Sequence, residues 1–184
     1  MSDLFGRRGR AWLGKLALPE ASRQSVDTCL ELIDHLGEKI LFEEKKLREL
    51  AEMNPDVRCR VTIPGIGPYS AAVLLAEVGD IHRFESKRQL YSYAGLVPRV
   101  RESAERKRSG PLTRAGSPRL RWILTEAAQS ATRCSPAARR YFERLARRKH
   151  RQVARVALAR KLLGAVYALL RHGVCFDEQA FAAV

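Results

Sequence analysis

Two serine hydroxyls lie among many guanidinium groups between residues 94 and 124. A serine hydroxyl is a poor nucleophile unless its alkoxide is stabilised, and nearby cations stabilise both the alkoxide and the charge that develops on an attacked phosphate. The serines are Ser103 and Ser109, and the basic residues are Arg99, Arg101, Arg106, Lys107, Arg108, Arg114, Arg119 and Arg121. The segment therefore has the chemistry to bind and attack phosphates, although a solvated basic loop with inert serines is the alternative reading of its composition.

The excess of positive over negative charge lies in the second half of the chain. The net charge is +14, and residues 97–171 alone contain 20 Lys and Arg against 4 Asp and Glu. An excess so localised predicts a polyanionic partner, with DNA as the first candidate and an anionic membrane surface as the competitor.

Composition also limits compartment and metal chemistry. The four cysteines are scattered without metal-ligand or disulfide spacing, so no metal or cofactor is predicted for this chain. The start of the chain lacks the apolar run of a signal peptide, and no stretch is long enough to cross a bilayer. A cytoplasmic protein without a membrane partner is expected.

A paired-glycine turn precedes the basic segment. In the stretch IPGIGPYSAAVLL, Gly65 and Gly67 favour a tight turn, and Pro68 suits the first position of a new helix. With a short entering helix over 56–62, this predicts a helix-hairpin-helix motif whose backbone N–H groups bind a phosphate. The alternative is a tight connection between packed helices.

The remaining pattern predicts an all-α fold with a long helix before a compact helical domain. A basic, loosely ordered segment is expected over 1–19, a coiled-coil-like helix over 20–55, the domain over 56–177 and a tail over 178–184. The helix seam comprises Val26, Cys29, Ile33, Leu36, Ile40, Leu47 and Leu50. The seam packs either on the globular part of the same chain or on a second copy, which would make a homo-oligomer.

Capping signals position the helices of the domain. Ser117-Pro118 and Ser135-Pro136 each predict an N-cap followed by a first-turn proline. Helices are expected over 69–78, after Ser86, and over 118–132, 136–149 and 152–171. Residues 95–116 have little apolar periodicity and are expected to form a loop or a short hairpin.

Several of these stretches together resemble a known family. RQLYSYAGLVPR, followed by a serine and then LTRAGSPRLRWIL, is similar to the C-terminal transposase domain of the serine transposases of the insertion sequence 110 family, which includes Piv-type DNA invertases. The end of the chain, ARKLLGAVYALLRHGVCFD, is similar to the last helix and tail of that domain. The resemblance covers roughly residues 57–177, and the preceding long helix resembles the family's coiled-coil segment.

The resemblance implies DNA recombination through a covalent phosphoserine. By its position after GLVPR, Ser103 matches the nucleophile; the family has Ser-Gly there and this chain has Ser103-Ala104, so Ser109-Gly110 is a second candidate. The resemblance also implies Mg²⁺ held by an N-terminal RuvC-like domain with four acidic residues and, in several members, a bridge-type guide RNA.

No RuvC-like domain is evident before the long helix, so the chain is expected to be the C-terminal part of a transposase. On this interpretation it binds DNA but does not cleave without an acidic partner domain. The alternative is a non-catalytic helix-hairpin-helix module that binds DNA or RNA and dimerises through its long helix.

Overall fold

The computed structural model describes residues 4–53, 62–103, 106–113, 115–173 and 176–182. The chain divides into two compact units, Met1–Glu43 and Glu44–Val184. The described elements are mainly α-helices, which confirms the all-α class.

The first unit contains a helix that composition did not predict. Helix α1 spans Arg7–Lys15, so the expectation of a loosely ordered segment over 1–19 was wrong there. An ion pair joins Arg10 to Asp34 of the following helix, and Arg23 donates to the carbonyl of Leu13 over 2.7 Å. These contacts with a long neighbour stabilise a nine-residue helix that would be marginal alone.

Helix α2 spans Glu20–Met53 and confirms the predicted long helix. Its apolar side chains remain largely in contact with solvent; Ile40, for example, is 59% exposed. The other exposed large apolar residues of this helix are Leu32, Leu36, Leu41, Phe42 and Leu50. The helix is therefore confirmed, whereas its coiled-coil pairing stays a prediction.

The second unit is a layered helical domain with one β-hairpin. Its elements are α3 (Pro68–Val78), a 3₁₀ turn (Ile81–Arg83), α4 (Lys87–Tyr93), β1 (Pro98–Ser103), β2 (Arg106–Leu112), α5 (Pro118–Cys134), α6 (Pro136–Ala146), α7 (Arg151–His172) and α8 (Glu178–Ala182). The predicted helix bounds agree with these to within a few residues. The segment expected as a loop or short hairpin is an antiparallel hairpin.

Helix α7 lies at the centre of this domain. It packs against α4, α5 and α6, while α3 packs against α5. Leu158, Leu162, Leu163 and Val166 of α7 are fully buried. Helix α5 contributes several buried alanines (Ala127, Ala128 and Ala131), and such small residues let neighbouring backbones approach closely.

Both serine caps form as the sequence predicts. The hydroxyl oxygens of Ser117 and Ser135 accept hydrogen bonds of 3.1 Å from the N–H groups of Leu120 and Ala138. Ser135 is buried and also donates to the carboxylate of Glu178 over 2.7 Å, which fixes the start of α8 against α6. These caps set the start of α5 and α6 and so the frame that carries the hairpin.

Candidate nucleic-acid interface

The paired-glycine turn is packed into the domain at its first glycine. Gly65 has φ of +80°, and a Cβ at this position would lie 2.6 Å from the backbone nitrogen of Ala131 and still closer to the carbonyl oxygen of Ala127. Ile63 and Ile66 on either side are buried, as the sequence predicts. Gly65 is therefore required because the turn packs directly on the backbone of α5.

The second glycine has a different environment. Gly67 is the extended N-cap of α3, with φ of −87°, and a Cβ there would meet nothing within 4 Å. Because Gly67 has no side chain and Pro68 has no N–H, no capping side chain covers the N–H groups of Tyr69 and Ser70 at this helix end. This end of α3 offers two outward donors in the positive field of the helix dipole.

The predicted helix-hairpin-helix motif needs a first helix before this turn. That helix was predicted over 56–62, and residues 54–61 lie outside the described residues. The turn and the second helix are in place, and the complete motif stays a prediction.

The basic segment forms the hairpin β1–β2, and its backbone register pairs the two candidate serines with different residues. Ser103 pairs with Arg106, and Arg101, two residues earlier, pairs with Arg108. Glu102 pairs with Lys107, and Val100 pairs with Ser109. Ser103 and the three arginines therefore occupy alternate pairs of the ladder, whereas Ser109 belongs to the intervening pairs.

Of the four predicted phosphate-binding arginines outside these pairs, the structure describes three, and their environments differ. Arg99 is exposed on β1, and Arg114 lies outside the described residues. Arg119, at the start of α5, has a side chain that is 82% exposed and lies 3.9 Å from the Glu77 carboxylate. Arg121 is half-buried and donates to the carbonyl of Ala94 over 3.5 Å, a long internal contact at the end of α4.

A groove of about 890 Å³, which was not predicted from the sequence, opens beside the hairpin. We call it the α4–α7 groove. Its walls come from α4, the hairpin ends, α6 and α7, with Pro98, Gly110 and Leu112 as the hairpin's contribution. Its polar and aromatic lining includes Lys87, Lys149, Arg160, Lys161, Tyr91 and Tyr141. None of the lining residues within the described part of the chain is acidic.

Two cations of this groove lie over aromatic rings. The guanidinium carbon of Arg160 is 4.7 Å from the ring centroid of Tyr91. The Nζ of Lys161 is 4.3 Å from the ring centroid of Tyr141 and 4.4 Å from that of Phe181. Such contacts hold cations in place where carboxylates are absent.

Lys161 lies in an unusual environment for an ammonium group. Its Nζ is buried and has no hydrogen-bond partner among the described atoms. Burial lowers the pKa of Lys161, and the positive charge of Arg144 lowers it further. Burial also raises the pKa of Tyr91, against the opposing effect of Arg160.

Neither a metal cluster nor a membrane span is found in the described part of the chain. No group of three or more His, Cys, Asp or Glu side chains there is arranged to hold a metal ion. The residues present therefore do not fit the Mg²⁺ that the resemblance assigns to an acidic domain. None of the helices described is both long and apolar enough to cross a bilayer.

Comparison with known proteins identifies the family. Residues 60–143, from within the predicted entering helix to the last turn of α6, match the Transposase IS116/IS110/IS902 family. This range, a little under half of the chain, carries the domain of that family. The matched range contains the turn, the hairpin with both serines and the two capped helices, so the hairpin register applies to a part of the chain that the family shares.

Individual members of the transposase family match beyond this range. A probable family 20 transposase of Pseudomonas aeruginosa is 31% identical over 92% of this chain and 54% of its own length. The transposase for insertion sequence element IS1111A of Coxiella burnetii is 33% identical over 69% of this chain and 36% of its own. A pilin gene-inverting protein of Moraxella lacunata is 30% identical over 80% and 48%. The chain thus spans about half, or less, of these relatives.

Proposed function

We propose that this chain is the DNA-binding C-terminal part of a transposase or site-specific recombinase, in which Ser103 attacks a DNA phosphodiester. The observation that supports the proposal is the backbone register of the hairpin, in which Ser103 pairs with Arg106 and Arg101 pairs with Arg108. The relatives' names, transposase and gene-inverting protein, supply the DNA substrate as part of the proposal.

A bound phosphate would stabilise the hairpin as well as the complex with DNA. Arg101 and Arg108 occupy paired positions of the ladder, and like charges at paired positions destabilise a ladder. A phosphate bound at this pair supplies a counter-charge, so DNA binding and hairpin stability are coupled. Guanidinium groups also bind phosphate oxygens in a bidentate manner, which orients the phosphorus toward a neighbouring hydroxyl.

The chemistry at Ser103 is a transesterification. The serine oxygen bonds to phosphorus while the bond from phosphorus to one deoxyribose oxygen breaks. The hydroxyl proton leaves to a base or water, and the released deoxyribose oxygen takes up a proton. The arginines stabilise the charge that builds on the non-bridging oxygens. The N–H donors of Tyr69 and Ser70 bind a second phosphate and position the strand without reading sequence. For the whole protein, an acidic RuvC-like domain with Mg²⁺ and a guide RNA are proposed partners.

A covalent-adduct assay tests the proposal. The chain is mixed with a RuvC-like domain of a family member, its guide RNA, Mg²⁺ and labelled DNA, and protein-bound label is measured on a denaturing gel. Ser103→Ala is expected to abolish the adduct. Ser109→Ala is the matched control, because Ser109 is the other serine of the hairpin and pairs with Val100, and it is expected to retain the adduct. An adduct that survives Ser103→Ala overturns the assignment of the nucleophile.

A second candidate function is a non-catalytic DNA-binding module that dimerises through α2. The exposed apolar residues along that helix, including Leu36 and Ile40, favour it because they would be buried in a helix pair. In that case Ser103→Ala changes neither binding nor any adduct, and the binding is strongly salt-dependent. The adduct assay therefore separates the two functions.

A further inference from the structure

We propose that the α4–α7 groove binds an unstacked segment of single-stranded DNA next to the hairpin. This rests on the proposed function, since it names the form in which the DNA strand lies beside Ser103. The groove shares Pro98, Gly110 and Leu112 with the hairpin, so a strand in the groove continues directly onto the hairpin's base.

The floor of the groove is suited to bases rather than to a duplex. It is lined by aliphatic side chains such as Leu96, Val153 and Val156. A duplex presents phosphates and groove edges, and its base faces are covered by stacking. Only a base that has left the stack can cover an apolar floor with its flat face. The groove volume, about 890 Å³, lies within the range of sites that enclose small organic groups.

The rim of the groove is suited to the sugar–phosphate backbone. Lys87, Lys149 and Arg160 line the groove together with apolar side chains, and no carboxylate is found among the lining residues that the structure describes. The contact with Tyr91 holds the Arg160 guanidinium in place, and guanidinium planes are surfaces on which unstacked bases pack. A cationic rim around apolar and aromatic surface is the combination that proteins use to bind single strands.

Lys161 adds a demand for a hydrogen-bond acceptor at the same wall. Its ammonium is buried against Tyr141 and Phe181, and no acceptor for it is found in the described part of the chain. A buried donor without an acceptor is costly. A phosphate bound at this wall supplies a counter-charge, which raises the lowered pKa of the ammonium, and it supplies the acceptor when the lysine side chain turns its Nζ toward the groove.

The groove favours DNA over RNA. Each ribose carries a 2′-hydroxyl that needs a hydrogen-bond partner when it is buried, and the aliphatic floor offers none. Deoxyribose has no such group and can lie against Val153 and Val156 without this cost.

The test is an anisotropy titration of the full chain with a labelled 12-nucleotide single strand and with a hairpin duplex of the same sequence. Val153→Asp places a carboxylate in the groove at a position that is 49% exposed and in the first turn of α7, where an acidic residue is tolerated. Ala168→Asp is the matched control, because it makes the same charge change at an exposed site of the same helix outside the groove.

Val153→Asp is expected to weaken single-strand binding about tenfold or more, and duplex binding only as much as Ala168→Asp does. Equal weakening of both DNA forms, or no weakening, overturns the groove assignment while leaving DNA binding intact. If the wild-type chain binds neither form of DNA, the proposed function itself is overturned. A single-stranded RNA of the same sequence that binds more tightly than the DNA, and is equally sensitive to Val153→Asp, overturns the assignment to DNA.

Discussion

Replacing Gly65 with alanine separates the structural role of the paired-glycine turn from its role in DNA binding. The new Cβ at residue 65 would lie 2.6 Å from the backbone nitrogen of Ala131, and neither that nitrogen nor the Ala127 carbonyl oxygen belongs to a side chain that can rotate away. The turn would have to move off α5, and Ile63 and Ile66 would leave the core with it. We therefore expect Gly65→Ala to destabilise the domain.

The magnitude follows from two contributions. A side chain at φ of +80° costs about 1–2 kcal/mol, and forcing an extra carbon into a close-packed contact costs about 1–3 kcal/mol. Together they lower the free energy of unfolding by about 3 kcal/mol. For a domain of this size, such a loss lowers the melting temperature by on the order of 10 °C.

Gly67→Ala is the matched control two residues away. Its φ of −87° is accessible to alanine and the site of the new Cβ is open, so the free energy of unfolding is expected to change by less than about 1 kcal/mol. The added methyl group would stand at the N-terminus of α3, where a phosphate is proposed to bind. Gly67→Ala is therefore expected to weaken DNA binding without lowering stability.

Urea unfolding followed by circular dichroism measures both stabilities, and anisotropy with duplex DNA measures binding below the melting temperature. The reasoning is refuted if Gly65→Ala costs less than about 1 kcal/mol, or if Gly67→Ala costs as much as Gly65→Ala. Unchanged DNA affinity in Gly67→Ala refutes the phosphate contact at α3 and leaves the packing of Gly65 untouched.

Two further predictions concern Lys161 and the long helix. Burial lowers the pKa of Lys161, so just below the ordinary pKa of 10.5 the unfolded chain binds more protons than the folded chain. The free energy of unfolding of the wild-type chain is therefore expected to rise as the pH approaches 10.5. Lys161→Met is expected to remove this pH dependence and to stabilise the domain by about 1 kcal/mol at pH 7. Thermal unfolding measured from pH 7 to 10.5 tests both expectations, and a Lys161→Met chain whose stability still rises with pH contradicts them. Ile40→Glu is expected to convert a dimer formed through α2 into a monomer in sedimentation analysis, whereas Glu38→Gln leaves the dimer intact; a wild-type chain that sediments as a monomer excludes this dimer.

The helices of the domain were predictable because their signals are local. A serine before a proline marks the start of α5 and of α6, and both caps form with the predicted donors. The 34-residue helix α2 follows from its apolar period and from the absence of proline between Pro19 and Pro55. Signals of this kind depend on neighbouring residues alone, so tertiary packing does not override them.

The N-terminal helix and the role of Arg121 were not predictable because they depend on distant partners. Three glycines between residues 6 and 14 lower helix propensity, and the pairing of Arg10 with Asp34 compensates only once α2 has formed. Arg121 belongs to the same basic segment as Arg119, yet it donates inward to Ala94 while Arg119 faces solvent. Composition treats the two arginines alike, and only their positions on α5 separate them.

The groove was hidden for the same reason, since residues from Lys87 to Lys161 line it and no sequence motif joins them. The groove is a second feature of the domain that favours DNA binding. The paired glycines looked like a phosphate-binding device, but Gly65 is fully accounted for by its packing on α5. Internal packing does not account in the same way for the ammonium of Lys161, which is buried without an acceptor among the described atoms. Under the proposal above, a strand in the groove would carry its phosphates past this wall and on to the base of the hairpin, which meets the groove at Pro98, Gly110 and Leu112.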